Sequence, residues 1–385
     1  MHRRAFVVVL DACGAGELPD AADYGDAGTN TLGHVAEAAG GLDLPVLGAL
    51  GLGSVLPLAG VPPASDPVLH GRLHPLGPGK DTITGHWELM GVVTPSPLRT
   101  YPDGFPDEIV DALIDATGRG VILNAPSNGL AAIEDWGERQ LQTGHLIVYT
   151  SADSVLQIAG HVDEVPPAEL YAACEAAREI MRGEHTVGRV IARPFRGEPG
   201  AFARTNGRRD LAIEPPTRSY LEELRDDGVP VHSVGKVKQV FADVGVDHGH
   251  PGATNEEAIA SVEALIDGLD GGLVFANLVE TDQVYGHRGD IPGFHAALRV
   301  IDAAVGGWLE RLDPSRDLLV ITADHGCDPT TPGSDHTREH APLLARFEGH
   351  GGRRHDGPLA DVGASVLRWL SGRDIAALPG APFTP

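Results

Sequence analysis

Five short runs of hydrophobic, mostly β-branched residues recur along the chain, and each run ends in polar residues. They are AFVVVLD (5–11), HLIVYTSAD (145–153), GRVIARPF (188–195), GLVFANLVETD (272–282) and DLLVITADHG (317–326). Uninterrupted apolar runs are typical of parallel strands that are buried on both faces. The pattern therefore predicts a strand in each segment.

Apolar residues between these runs recur at helical spacing. Two sets spaced by three and four mark one buried face each: Ile259, Val262, Leu265 and Ile266, and then Leu298, Ile301, Val305, Trp308, Leu309 and Leu312. Thr254 or Asn255 is a candidate N-cap for the first helix. Strands that alternate with helices predict an α/β fold with a mainly parallel sheet flanked by helices.

The middle of the chain differs in pattern from its flanks. It is rich in loops, and it holds two of the strand runs and one clear helix over 167–182. A chain of 385 residues is long for one hydrophobic core, so two domains are expected. We predict a core formed by 1–94 and 217–385 and a smaller inserted α+β domain over 95–216.

Charge and cysteine content limit the function classes. The net charge of −25 disfavours broad binding to nucleic acid or to anionic membranes. Cys13, Cys174 and Cys327 lack metal or disulfide spacing, which fits a reducing compartment. The apolar run that follows the basic N-terminus is too short for a signal peptide. These features predict a cytoplasmic protein with no nucleic-acid or membrane partner, and no long apolar helix face demands a second subunit, so we expect a monomer.

Three aspartates stand at the carboxyl ends of predicted strands, namely Asp11, Asp282 and Asp324. Parallel sheets place their sites at this edge, so these carboxylates are expected to converge. Three histidines follow in the same segments: His287, His325 and His336. Together they suffice for two divalent ions, and mixed oxygen and nitrogen ligands favour manganese, zinc or iron.

Each metal motif also has an ordinary interpretation when it is taken alone. The DHG at 324–326 is a common turn after a strand, and Asp11 is a possible helix N-cap. Asp282 with His287 is a possible surface pair. Their joint occurrence favours the metal site.

The stretch KDTITGHWELMG (80–91) places one of only three lysines beside two threonines. A hydroxyl bound to a divalent cation loses its proton more readily and becomes a usable nucleophile. Thr82 and Thr84 are the candidates, and Lys80 would offset charge on a transferring phosphoryl group. The alternative is a hydroxyl-bonded turn that is anchored by a buried Trp87.

The motifs together resemble the sequence blocks of the bacterial phosphopentomutase family, in the alkaline phosphatase superfamily. The blocks are VVVLDACGAGELPDA, GKDTITGHWELMG, IVYTSADSVLQIAGH, GRVIARPFRGEPGAFARTNGRRD, NLVETDQVYGHR and LLVITADHGCDPTTPGSDHTREHAPLL. They occur in family order across nearly the whole chain. The resemblance implies an alkaline-phosphatase-like core with an inserted cap. It also implies interconversion of ribose 1-phosphate and ribose 5-phosphate, and of the 2-deoxy forms, through a phosphothreonine and a pentose bisphosphate.

The resemblance further implies a role for each matching residue. Thr82 would be the nucleophile, with Lys80 beside it. A sugar bisphosphate would supply the first phosphoryl group to Thr82. Two Mn²⁺ ions would bind, one to Asp11, Asp324, His325 and the Thr82 oxygen, the other to Asp282, His287 and His336. The pentose phosphate would be bound by Ser151, Asp153, Arg189, Arg193, Arg204 and Lys236. The nearby His248, His250 and His340 are not expected to bind metal.

The spacing of the arginines supports a phosphate-binding role. Arg189, Ile191 and Arg193 are two residues apart, so a strand places them on one face. An arginine fork matches a phosphate bidentately, whereas the alternative for these arginines is an ion-paired surface.

Three other functions stay open at the level of sequence. A phosphoglycerate mutase of the same superfamily has a serine nucleophile, which the threonines of 80–91 disfavour. A metal-dependent phosphatase or phosphodiesterase would share the metal ligands, and a non-catalytic metal-binding protein would retain the fold. A mutase must keep water from its phosphoenzyme, so the inserted domain is expected to close as a hinged lid.

Overall fold

The computed structural model describes residues 2–151, 153–333 and 335–385. The chain forms two compact units, a core unit (1–97 and 214–385) and an inserted unit (98–213). The sequence predicts the junctions at 94/95 and 216/217. The observed junctions, at 97/98 and 213/214, each lie three residues away.

Strands and helices are numbered separately in chain order. The strands are β1 (Arg4–Leu10), β2 (Leu69–His74), β3 (Val121–Pro126), β4 (Leu146–Thr150), β5 (Val155–His161), β6 (Arg189–Arg196), β7 (Ala203–Arg204), β8 (Arg209–Ala212), β9 (Val231–Val234), β10 (His248–His250), β11 (Gly272–Leu278), β12 (Asp317–Thr322), β13 (Ala341–Arg346) and β14 (Gly357–Pro358). The helices are α1 (Thr31–Ala38), α2 (Pro45–Leu50), α3 (Leu52–Val55), α4 (Thr82–Leu89), α5 (Asp107–Thr117), α6 (Gly129–Thr143), α7 (Pro167–Ile180), α8 (Tyr220–Asp226), α9 (Val237–Val240), α10 (Asn255–Gly268), α11 (Ile291–Arg311) and α12 (Asp361–Ser371).

The core unit is built on one sheet with the strand order β10-β9-β11-β1-β12-β13-β2-β14. β1 lies between β11 and β12, is parallel to both, and is buried along its whole length. The predicted mainly parallel sheet is confirmed, since only the pairings of β13 with β12 and with β2 are antiparallel. Buried parallel strands need apolar residues on both faces, which explains the uninterrupted runs.

The helices predicted from spacing are confirmed in the core unit. α10 begins after Thr254, whose side chain accepts a hydrogen bond from the Glu257 N–H at 3.2 Å. α11 buries Leu298, Ile301, Val305 and Trp308. No helix in the described part of the chain is both long enough and apolar enough to cross a bilayer.

The inserted unit has more regular structure than the sequence predicts. Its sheet has the order β3-β4-β5-β6-β7, with β8 also paired to β6, and α5, α6 and α7 belong to it. The prediction of two strands and one helix was therefore wrong. β3 is only partly buried, and α6 buries only Ala132, Ile133, Gly137 and Gln140, so the apolar pattern of both elements is weak.

Candidate metal centre and nucleophile

The carboxyl edge of the core sheet gathers the predicted ligands. Asp11 directly follows β1, and Asp324 and His325 follow β12 by two and three residues. His325 Nε2 lies 3.5 Å from Asp11 Oδ1 and 3.3 Å from Asp324 Oδ2. The other ring nitrogen, Nδ1, donates to the Gly326 carbonyl at 3.0 Å, which leaves the Nε2 lone pair for a metal. The ligand atoms of these three buried residues lie within 4.8 Å of one another, close enough to share one metal ion.

The second predicted ligand set also converges. Asp282 lies in a π-helical turn, Thr281–Tyr285, beyond the end of β11. Its Oδ1 lies 3.4 Å from His287 Nε2 and 3.3 Å from His336 Nε2, and the two imidazole nitrogens are 3.2 Å apart. The rings of His325 and His336 have centroids 4.0 Å apart, so the two sets are adjacent.

Ala12, which directly follows Asp11, has an unusual backbone conformation. Ala12 has a φ of 62°, a left-handed conformation that is unfavourable for a residue with a Cβ. In this conformation its N–H donates to Asp324 Oδ1 at 3.2 Å. The turn after β1 therefore orients a carboxylate that follows β12.

Thr82 is the first residue of α4. Asp81 caps this helix, because its Oδ1 accepts from the N–H groups of Ile83 at 2.9 Å and Thr84 at 3.1 Å. Thr82 Oγ1 lies 3.1 Å from His325 Nε2, next to the first ligand group. Thr84 Oγ1 instead donates to Asp81 Oδ2 at 2.8 Å, so the geometry separates the two candidate threonines in favour of Thr82.

The two lysines predicted for the site have different surroundings. Lys236 Nζ lies 2.5 Å from Asp11 Oδ2 and donates to Thr82 Oγ1 at 3.3 Å. Lys80 Nζ instead pairs with Asp26 at 3.0 Å and with Asp335 at 3.2 Å. The ammonium beside the threonine thus belongs to Lys236, and the role predicted for Lys80 stays a prediction.

The three buried carboxylates of the centre carry negative charge that additional cations would balance. Among the described residues, the buried oxygens Asp11 Oδ1, Asp282 Oδ1 and Asp324 Oδ2 receive no hydrogen bond of good geometry, and the groups that face them at 3.0 to 3.5 Å are imidazole nitrogens. Burial and the neighbouring Asp324 raise the pKa of Asp11 well above its ordinary value, although Lys236 opposes this shift. Such atoms and charges fit divalent ions with oxygen and nitrogen ligands.

The imidazole of His325 is suited to act as a neutral ligand. Burial lowers the pKa of His325 to about 4, since it disfavours the imidazolium. Burial by itself would raise the pKa of Asp282, but the charges of His336 and Lys236 lower it overall. The centre therefore offers the Asp282 carboxylate and the neutral His325 imidazole at neutral pH.

Three residues near the centre were not among the predicted ligands. His86 and Asn277 are fully buried, and each contacts a metal-site aspartate. Cys327 Sγ lies 4.0 Å from His287 Nδ1, and with Asp282 and His287 it forms another group that is suited to a metal. All three lie within the quoted motifs, but spacing alone does not tell which buried polar groups touch the ligands.

The histidines expected not to bind metal lie elsewhere in the core unit. His248 and His250 lie on β10 and pack against His232, with the rings of His232 and His248 centred 4.6 Å apart. His340 Nδ1 lies 3.3 Å from the Gly16 carbonyl oxygen. None of the three belongs to a metal-suited group among the described residues.

The remaining predicted residues lie in the inserted unit. Arg189 and Arg193 are on β6, Arg204 is on β7, and Ser151 and Asp153 flank the gap in the described chain after β4. Arg189 Nη2 is 3.5 Å from Asp153 Oδ2. Arg193 donates through Nε and Nη2 to Gln157 Oε1 at 3.1 and 2.9 Å. Both arginines thus hold polar partners within their own unit.

Comparisons with known proteins cover both units. The sequence profile of the metalloenzyme superfamily matches residues 3–372. The phosphopentomutase of Anaeromyxobacter dehalogenans strain 2CP-1 is 50% identical over 97% of each chain. The phosphopentomutase of Caldanaerobacter subterraneus subsp. tengcongensis is 49% identical, over 89% of this chain and 87% of the relative. That of Herpetosiphon aurantiacus is 48% identical, over 89% and 88%.

These matches agree with the α/β core and with the clustering of acidic and imidazole side chains at its sheet edge. The predicted fold class, an alkaline-phosphatase-like core with an inserted domain, is confirmed. The chain belongs to the phosphopentomutase family, within the metalloenzyme superfamily.

Proposed function

We propose that this chain interconverts ribose 1-phosphate and ribose 5-phosphate, and likewise the 2-deoxyribose phosphates, as an isomerase that acts in the cytoplasm. Relatives about half identical in sequence carry the name phosphopentomutase. The observation that carries the proposal is the position of Thr82 Oγ1, 3.1 Å from His325 Nε2 and 3.3 Å from Lys236 Nζ. A hydroxyl beside a metal-suited group and an ammonium is placed for phosphoryl transfer.

The proposed reaction passes through a phosphorylated Thr82. The free hydroxyl of the bound pentose phosphate takes the phosphoryl group from Thr82, which gives a bisphosphate. After the bisphosphate has turned around, the Thr82 oxygen takes the other phosphoryl group, and the isomeric monophosphate leaves. A sugar bisphosphate would supply the first phosphoryl group. Because α4 begins at Thr82, the positive end of the helix dipole favours a phosphate there.

The proposed ion sites follow the two ligand groups. Asp11, Asp324, His325 and the Thr82 oxygen would hold one Mn²⁺, and Asp282, His287 and His336 would hold the other. When bound, such ions stabilise charge on phosphoryl oxygens and favour deprotonation of a hydroxyl. Backbone groups hold two of these ligands in place. The N–H of Ala12 donates to Asp324, and the carbonyl oxygen of Gly326 accepts from His325. Zinc or iron would satisfy the same ligand types.

The sugar phosphate is proposed to bind through one set of polar residues: Ser151, Asp153, Arg189, Arg193, Arg204 and Lys236. Arginine guanidinium groups match phosphate geometry, and Asp153 and Ser151 supply partners for sugar hydroxyls. The inserted unit would exclude water from the phosphoenzyme, since a water molecule would otherwise hydrolyse it.

One assay tests the function. The manganese-loaded protein is incubated with ribose 1-phosphate and a catalytic amount of a sugar bisphosphate, and ribose 5-phosphate and free phosphate are both measured. We expect ribose 5-phosphate with little free phosphate. Free phosphate as the main product would indicate a phosphatase, and no product at all would indicate a non-catalytic metal-binding protein. Conversion of 3-phosphoglycerate in a parallel reaction would indicate a phosphoglycerate mutase.

A further inference from the structure

We propose that His86 and Asn277 are positioning residues that hold Asp11, Asp324 and the first turn of α4 in the arrangement required by the first ion. The inference rests on the proposed function, because it concerns the same metal centre. Both side chains are fully buried, and they come from different elements, α4 and β11. Their polar atoms are directed at metal-site residues.

Asn277 connects Asp11 to His86. Its Nδ2 lies 3.0 Å from Asp11 Oδ2 and 3.1 Å from His86 Nε2. An amide oxygen at this distance from a carboxylate oxygen would be repelled, so the amide nitrogen must face Asp11. Each of its two hydrogens then has one acceptor, Asp11 Oδ2 and His86 Nε2.

This pattern determines the tautomer of His86. Because Nε2 accepts a hydrogen bond, the ring proton lies on Nδ1. His86 Nδ1 donates to the Thr82 carbonyl oxygen at 2.9 Å and lies 3.0 Å from Asp324 Oδ2. Both neighbours are acceptors, so the Nδ1–H tautomer is compatible with both, with the hydrogen bond to Thr82 and Asp324 Oδ2 in close electrostatic contact.

The result is a continuous buried chain of contacts from Asp11 through Asn277 and His86 to Asp324. His86 lies one turn after Thr82 on the same helix, so the chain also ties the nucleophile to both carboxylates. Outer hydrogen bonds of this kind orient metal ligands, and their loss typically weakens metal affinity by about 10–100-fold. The buried position strengthens each contact and makes an unpaired group costly.

Metal affinity of the full-length protein tests the proposal. Manganese is titrated calorimetrically into metal-free protein carrying His336→Ala, which leaves the Asp11, Asp324 and His325 group as the principal site. Asn277→Leu removes both donors and is expected to weaken binding about 10–100-fold. Asn206→Leu is the control, because Asn206 is exposed in a loop of the inserted unit, and it should leave the affinity unchanged.

A second measurement reports on the tautomer without any metal. Nitrogen NMR of the ring of His86 in the metal-free protein is expected to show the proton on Nδ1. In Asn277→Asp, the new carboxylate accepts a hydrogen bond instead of donating one, so a proton should appear on Nε2. If Asn277→Leu does not fold, His86→Gln provides the affinity measurement.

Two results would overturn the proposal: a wild-type ring with its proton on Nε2, or unchanged manganese affinity in the folded variants. Neither measurement depends on turnover. A protein that binds manganese as expected but releases phosphate from ribose 1-phosphate would contradict the proposed function and leave this inference intact.

Discussion

Lys236 Nζ donates to Thr82 Oγ1 at 3.3 Å while lying 2.5 Å from Asp11 Oδ2, so one ammonium serves both the nucleophile and a metal-site carboxylate. Burial by itself would lower the pKa of Lys236, but the carboxylates of Asp11 and Asp282 raise it above its ordinary value. The group is therefore charged at neutral pH. A fixed positive charge at this position would stabilise a phosphoryl group on Thr82.

The first prediction compares the two lysines. Lys236→Met should lower the rate of phosphoryl transfer by roughly 100-fold or more, because a preorganised charge at the reacting group is lost. Lys80→Met should have a smaller effect, since Lys80 is paired with Asp26 and Asp335. Single-turnover kinetics with phosphorylated protein measure both. A larger loss in Lys80→Met than in Lys236→Met would assign the catalytic charge to Lys80.

The second prediction concerns the nucleophile. Thr82→Ala should abolish mutase turnover and the phosphorylated species seen by mass spectrometry, because the other hydroxyl of α4, on Thr84, bonds to Asp81 instead. Manganese affinity should fall only modestly, since carboxylates and imidazoles remain. Thr84→Ser is the control, because a serine keeps the hydroxyl that bonds to Asp81. Full turnover in Thr82→Ala would disprove the assignment.

The third prediction concerns metal removal. Asp11→Asn removes one of three crowded carboxylates, so the metal-free protein should melt at the same or a higher temperature than wild type. Manganese at 100 times its Kd should stabilise the wild type by about 2.7 kcal/mol for each site that it fills. The variant should lose most of the gain that comes from the first site. Melting curves with chelator and with manganese measure both effects.

The control for this comparison is Asp267→Asn, at an exposed ion pair with Arg311. Exposed pairs contribute little, so both melting temperatures should match the wild type. A variant Asp11→Asn that keeps the full manganese gain would exclude Asp11 as a ligand.

Much of the core was predictable because buried parallel strands produce recognisable runs of apolar residues in the sequence. β1 is buried over all seven residues and β12 over all six, and apart from the buried ion pair Arg4–Asp317 and the terminal Thr322 both strands consist of apolar residues. The aspartates that follow β1 and β12 then share the sheet edge by topology. The convergence of Asp11 and Asp324 therefore needed no coordinates.

The parts that could not be predicted depend on contacts between distant segments. Lys236 and Lys80 are both rare lysines near conspicuous motifs, and only the fold shows which ammonium reaches Thr82. Asn277 lies inside an apolar strand, where its burial at 0% exposure gives no sequence signal. Periodicity in the sequence shows which face of a helix or strand is buried. The contacts of Lys236 and Asn277 instead arise where separate helices and strands pack together.

The fourth prediction concerns a close approach between α4 and the end of β12. A Cβ added at Gly85 would lie 2.4 Å from the Asp324 carbonyl oxygen and 2.9 Å from its Cβ. Because backbone atoms cannot move aside cheaply, Gly85→Ala should destabilise the protein by about 1–3 kcal/mol and displace Thr82 from Asp324. Denaturant unfolding and manganese titration measure the two effects.

A glycine that lacks such a neighbour provides the control. A Cβ added at Gly307, in α11, would meet no described atom within 4 Å beyond its chain neighbours and the backbone of its own helix, so Gly307→Ala should be neutral or stabilising. Equal stability of the Gly85 and Gly307 variants would show that α4 adjusts its position freely.

The fifth prediction concerns acid stability. His232 packs against His248 and His250, and its Nδ1 lies 3.0 Å from His250 Nε2. Burial, with the charges of the two neighbouring imidazoles, lowers the pKa of His232 to about 4, although Asp247 opposes the shift. In the unfolded chain a histidine has a pKa of about 6.5. Between about pH 4 and pH 6.5 the unfolded state therefore binds more protons than the folded state. The stabilising contribution is therefore complete above about pH 6.5 and is lost as the pH falls toward 4.

His232→Asn should accordingly reduce the drop in melting temperature between pH 7.5 and pH 4.5, because asparagine cannot take up a proton in the unfolded chain. Partial exposure of the ring will make the change smaller than that of a fully buried group. The same pair of melting curves for His2→Asn, at an exposed histidine, provides the control and should follow the wild type. If both variants lose stability in acid as steeply as the wild type, proton uptake at His232 does not govern the acid sensitivity, and other groups must take up the proton on unfolding.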